Sequence, residues 1–101
     1  MPMADVLLTL HCAAADAETI GEALRGALRS PVHVRAEAVL GLDFSDATTA
    51  EQVTARLDRR AIELVLSEAA VPEALAMLGR VRRSGAVRWY TTQVLERGRV
   101  A

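Results

Sequence analysis

The chain has no lysine: all twelve of its basic residues are arginine. That absence excludes a Walker-type phosphate lysine, a Schiff-base lysine and a lysine general base. A single cysteine, Cys12, rules out an internal disulfide and fits a reducing compartment. Aromatic residues are few and the formal net charge is −1. A nucleic-acid surface needs a positive excess and stacking rings, so no nucleic-acid partner is expected. No apolar run is long enough to span a bilayer. The opening Met-Pro-Met-Ala-Asp lacks a basic region, and residues 6–10 are too short for the apolar stretch of a signal peptide. The expectation is a cytoplasmic protein that does not insert into membranes.

What is present is a dense, small-residue apolar pattern. Hydrophobic residues make up 51% of 101 positions, enough for one core but not for two. Residues 4–12 alternate, with Val6, Leu8, Leu10 and Cys12 on one face and Asp5, Leu7, Thr9 and His11 on the other. Asp16 is placed to cap a helix whose stripe is Ile20, Leu24, Ala27 and Leu28, and Ser30-Pro31 stops it. A second strand follows, with Val32, Val34, Ala36, Ala38 and Leu40 inward and His33, Arg35, Glu37 and Val39 outward. The third strand is read over 60–66, with Ile62, Leu64 and Leu66 inward and Ala61, Glu63 and Val65 outward. Pro72 suits the first turn of a second helix with stripe Val71, Leu75, Leu78 and Val81, ended by Ser84-Gly85. A last strand over 86–94 carries Val87 and Trp89 on one face and Arg88, Tyr90 and Thr92 on the other.

The order strand, helix, strand, strand, helix, strand is the split βαβ pattern of an α+β, ferredoxin-like sandwich (βαββαβ), filling residues 1–101 as one domain. Two helices can cover only one face of a four-stranded sheet. The other face mixes Leu7, Val39, Val65, Tyr90 and Val94 with His33, Arg35, Glu37, Glu63 and Arg88. An apolar and charged face of that kind on so small a domain marks an interface. Leu7, Arg35, Glu37, Glu63, Val65, Arg88 and Tyr90 are its expected members, with cross-strand charge pairs fixing register. The segment 42–58 between the second and third strands is longer than the fold needs. Its tip is expected to be mobile and its later part, 51–56, firmer.

Three stretches resemble the landmarks of a small PII-like bacterial family often encoded beside heavy-metal efflux pumps of the resistance–nodulation–division type. They are Ala4-Asp5-Val6-Leu7-Leu8-Thr9-Leu10-His11-Cys12, Ala50-Glu51-Gln52-Val53-Thr54-Ala55-Arg56, and Trp89-Tyr90-Thr91-Thr92-Gln93-Val94-Leu95-Glu96-Arg97-Gly98-Arg99-Val100. The resemblance covers the whole chain in order. It implies a fold related to the PII signalling and CutA cation-tolerance proteins, which form trimers with three open sheet faces around a central axis. It also implies that the long segment is an effector arm reaching a partner, with Asp43, Phe44, Glu51, Gln52 and Arg56 as its candidate residues. The glycine-rich phosphate loop of PII proteins has no counterpart, since only Arg83-Ser84-Gly85-Ala86 stand at its place. Arg56, Arg88 and Arg97 remain as candidate anion ligands.

Other chemistry is thin. His11, Cys12 and His33 are candidate metal ligands, because imidazole and thiolate suit zinc or copper. Consecutive strand residues point to opposite faces, however, which separates His11 from Cys12. Ser45, Thr48 and Thr49 have no nearby histidine, and Glu37 and Glu63 have arginine neighbours that suit ion pairs better than acid catalysis. The expected function is therefore non-enzymatic: a homotrimeric PII-like regulator acting on a membrane transporter such as a heavy-metal efflux pump. The alternative is a CutA-like trimeric metal-binding chaperone or buffer, and a purely structural subunit stands third.

Overall fold

The computed structural model describes residues 4–40, 56–83 and 85–101. Strand β1 (Asp5–Ala13) passes through a 3-10 turn (Ala14–Asp16) into helix α1 (Ala17–Leu28) and then strand β2 (His33–Leu40). Strand β3 (Arg56–Ser67) leads through a second 3-10 turn (Glu68–Ala70) to helix α2 (Val71–Val81) and strand β4 (Arg88–Gln93). The sheet order is β2-β3-β1-β4, with every neighbouring pair antiparallel. This is the ferredoxin-like α+β fold.

The alternation read in β1 and β3 determines which face is covered. Val6, Leu8, Leu10 and Cys12 of β1 and Ile62, Leu64 and Leu66 of β3 are buried against Ala17, Ile20 and Leu24 of α1 and Ala74, Met77 and Leu78 of α2. Each fully buried leucine or isoleucine contributes roughly 1.5–3 kcal/mol, so the two central strands hold most of the core. Helix α1 ends with Arg29 in the left-handed region (φ 52°), its N–H donating to the Arg25 carbonyl at 3.0 Å. That bond completes the last turn of the helix, in a conformation that glycine adopts more readily.

Several details differ from the sequence expectation. Strand β3 begins at Arg56, so Arg56, Leu57 and Asp58 belong to the sheet rather than to the long connection. Asp16 makes no capping bond to α1. It is buried and accepts a hydrogen bond from the backbone N–H of Arg83 at 3.2 Å, tying the start of α1 to the segment after α2. The buried stripe of α2 is Ala74, Met77 and Leu78, with Val71, Leu75 and Val81 only partly covered. Ala27 of α1 is exposed. The largest departure is β2: Val34, Ala36, Ala38 and Leu40, expected inward, are all exposed. Both helices pack mainly over the middle of the sheet, and β2 lies at its edge, where α1 approaches it only around Gly21 and Val34 and leaves the row uncovered.

Candidate functional site on the open sheet face

On the face away from the helices the strand registers bring four rows of side chains together. Glu63 lies opposite both His33 and Thr9, and Thr9 opposite Tyr90. One row further, Ala61 lies between Arg35 and His11, with Arg88 beyond His11. Arg59 lies between Glu37 and Ala13, while Val65 and Thr92 flank Leu7. The interface residues expected from the sequence thus share one surface. Thr9 and Ala61 at its centre are buried, covered by their longer neighbours.

Two charge pairs organise the face. Arg35 Nη2 donates to Glu63 Oε1 at 2.6 Å. That hydrogen bond holds the Glu63 carboxyl below its ordinary value, with His33 and His11 adding to the attraction. The second pair skips a strand: His11 Nδ1 meets Glu37 Oε1 at 2.5 Å, from β1 to β2 across β3. The strand between presents only the Ala61 methyl opposite His11, which leaves room for the two side chains to meet above it. The Tyr90 ring packs beside His11 with centroids 5.9 Å apart.

Next to this pair is a cavity of about 240 Å³ lined by His11, Glu37, Val39, Leu57, Arg59, Ala86 and Arg88. Arg59 is almost fully buried, whereas Arg88 is exposed and has no ion-pair partner among the described residues. Val39, Leu57 and Ala86 give it apolar walls, and the two arginines in its lining suit a small anion. Arg59 escapes the sequence reading because that reading starts the third strand at Arg60, whereas β3 begins at Arg56. The His11–Glu37 pair escapes it because cross-strand reasoning considers adjacent strands only. The small residue at Ala61, flanked by polar positions, is the signal that could have suggested it. A larger groove of about 450 Å³ runs between α1 and β2 over Ala17, Gly21, Val32 and Val34. Its rim holds Glu22 and Arg25, paired with each other, and Arg60, paired with Asp58.

The remaining candidates are dispersed. Cys12 is fully buried on the helix side, its Sγ 3.8 Å from the Arg60 carbonyl oxygen, while His11 lies on the open face. Burial, reinforced by Asp16, pushes the Cys12 thiol up to about 11, away from the thiolate that binds metals. His33 is exposed on β2. Among the described residues no three His, Cys, Asp or Glu side chains are placed to share a metal ion. Arg97 is held by Asp5 (Nε to Oδ2, 3.0 Å) at the far end of β1 from Arg88, so these two candidate anion arginines do not converge. Arg56 opens β3 opposite Leu40. Asp43, Phe44, Glu51 and Gln52 lie outside the described residues. No helix among the described residues is long and apolar enough to cross a membrane.

A family profile described as "Protein of unknown function (DUF3240)" matches residues 5–101. The chain belongs to the DUF3240 family. A crystal structure of a DUF3240 family protein from Shewanella baltica superimposes with TM-score 0.78 at 13% identity, over the whole of both chains. The divalent ion tolerance protein CutA1 from Ehrlichia chaffeensis gives TM-score 0.71 at 13% identity, covering 97% of this chain and 88% of that one. GlnK of Bacillus subtilis, solved as its ATP complex, gives 0.68 at 16% identity, covering 93% and 84%. At such identities these likenesses establish the fold, which this DUF3240 chain shares with CutA1 and GlnK. No curated protein matches the chain significantly.

Proposed function

We propose that this DUF3240 protein is a non-enzymatic regulator of the PII kind. It assembles as a homotrimer through the open sheet face, takes a small anionic effector beside His11 and Glu37, and modulates a membrane transport system such as heavy-metal efflux. The observation that carries the reading is the cavity that Arg59 and Arg88 line together with Val39 and Leu57. It lies beside the ends of β2 and β3, the strands that lead into and out of residues 41–55. An anion bound there would bear on the segment that the sequence reading assigns to partner docking. The likeness to GlnK in fold supports the regulatory class, and the mixed apolar and charged open face supports self-assembly.

A trimeric metal-binding accessory role is the second reading. It is supported by the likeness to a divalent ion tolerance protein and by the neighbouring His11 and Glu37 side chains. Calorimetric titration of the assembled protein with adenine nucleotides, inorganic phosphate, zinc and copper(I) separates the two. Anion binding lost in Arg88→Ala is the expected result. Metal binding tighter than micromolar that is lost in His11→Ala would replace the regulator with the accessory protein. No binding of either kind would overturn both and leave a structural subunit.

A further inference from the structure

The cavity beside the His11–Glu37 pair holds arginine donors and one group that cannot donate. Its polar lining side chains are His11, Glu37, Arg59 and Arg88. Strand register sets them in two cross-strand pairs on the open face, Glu37 opposite Arg59 and His11 opposite Arg88. Val39, Leu57 and Ala86 supply the rest of the lining. Arginine only donates hydrogen bonds, so both guanidinium groups suit the oxygens of an anion. Glu37 suits them badly. A proton lies between His11 Nδ1 and Glu37 Oε1, since two bare acceptors repel each other at 2.5 Å. Whichever atom holds that proton, Oε2 of Glu37 is left as an acceptor. Among the described residues Glu37 is hydrogen-bonded through Oε1 alone.

A carboxylate among arginines weakens a site that merely holds negative charge, because it repels the ligand at short range. It serves a ligand that brings a hydrogen of its own. We propose that the cavity selects an inorganic oxyanion that keeps a hydroxyl, such as hydrogen phosphate or hydrogen arsenate, and that Glu37 makes the selection. The bare oxygens of the anion accept from the arginines, while its O–H donates to Glu37 Oε2. Such a bond from a hydroxyl to a carboxylate is short and strong. Sulfate has the same tetrahedral shape but no hydrogen near neutral pH, so it would set an acceptor against Oε2. A site built to receive a hydroxyl rejects the analogue without one, because its own polar group is left unpaired. A phosphate monoester falls on the sulfate side, since its second pKa of about 6 leaves most of it without a hydroxyl at neutral pH. The class is therefore a free oxyanion rather than a nucleotide. His11 holds Oε1 and so acts as a positioning residue for the carboxylate. The inference rests on the anion site of the proposed function and names what that site takes.

The test is calorimetric titration of the full chain at neutral pH and constant ionic strength, with inorganic phosphate, sulfate and glycerol 3-phosphate as probes. Wild type is expected to bind phosphate at least about tenfold more tightly than either other anion, the ratio that one hydrogen bond to a charged group supplies. Glu37→Gln keeps an oxygen for His11 and can turn an N–H toward the ligand. Sulfate should therefore gain while phosphate changes little, and the preference should vanish. Arg88→Ala should weaken phosphate and sulfate together. Equal wild-type affinity for phosphate and sulfate, still lost in Arg88→Ala, would overturn the selectivity and leave the anion site standing. A phosphate preference that survives in Glu37→Gln would overturn the role of Glu37. Binding of none of the three anions would overturn the site and the proposal with it. The wild-type ratio tests the selectivity without any variant, and circular dichroism checks that each variant is folded.

Discussion

Cys12 and Ala61 show how much a single position owes to its surroundings. The Cys12 thiol is raised in the folded state from 9.0 to about 11. Below pH 9 both folded and unfolded chains carry the proton, and the thiol contributes nothing to pH dependence. Between pH 9 and 11 the unfolded chain loses its proton first, so stability falls as pH rises, by about 2–3 kcal/mol over the window. Urea unfolding of wild type and Cys12→Ala at pH 7 and pH 10.5 should show a smaller loss in the variant. Ala61 is buried on the open face, beneath the His11–Glu37 pair. Ala61→Leu should separate that pair and cost roughly 1–3 kcal/mol through overpacking, read as a lower urea midpoint with unchanged slope. An unchanged midpoint would show that the pair does not rely on the small residue. Arg35 and Glu63 behave differently. The depressed Glu63 carboxyl favours the fold above its ordinary range and loses that contribution as pH falls through its folded value.

At the level of elements, the helices are weaker than their positions allow. An added Cβ at Gly26 of α1 or Gly79 of α2 meets nothing within 4 Å. Gly26→Ala and Gly79→Ala should each stabilise by about 0.5–1 kcal/mol, since alanine loses less backbone freedom on folding. Arg29→Gly should add about 1 kcal/mol by relieving the left-handed conformation at the end of α1. Thermal unfolding of the three single variants is the measurement, and a lower midpoint in any of them would mean a contact that the free space conceals. The order of elements was legible in the sequence because period two and period 3.6 are written into β1, α1, β3 and α2. The exposure of β2 was not. Alternation shows that a strand has two faces, but a helix must lie over one of them to bury it, and α1 lies over the centre of the sheet.

On the scale of the molecule, the open face is the surface least satisfied by the chain alone. Leu7 and Val65 face each other there between β1 and β3, and Tyr90 is half exposed. Leu7→Arg should leave the far-ultraviolet circular dichroism unchanged while lowering the mass found by sedimentation equilibrium. A variant that keeps the wild-type mass would move the assembly surface elsewhere. The same face holds the cavity beside Arg59 and Arg88, so assembly and effector binding are expected to be coupled. Ligand that prefers the assembled form must, by linkage, strengthen assembly.

Local patterning alone determined the βαββαβ order, the one-sided core and the separation of His11 from Cys12, because side-chain alternation and helical spacing are properties of neighbours in the chain. It also set Arg35 and Glu63 on one face. Only the tertiary structure decided that β2 and β4 form the edges, that Asp16 accepts a bond from the Arg83 backbone rather than capping α1, and that His11 reaches Glu37 across an intervening strand. Each of these depends on the register of strands distant in sequence and on where the helices come to rest. Those are set by how the whole core packs, which no single segment carries.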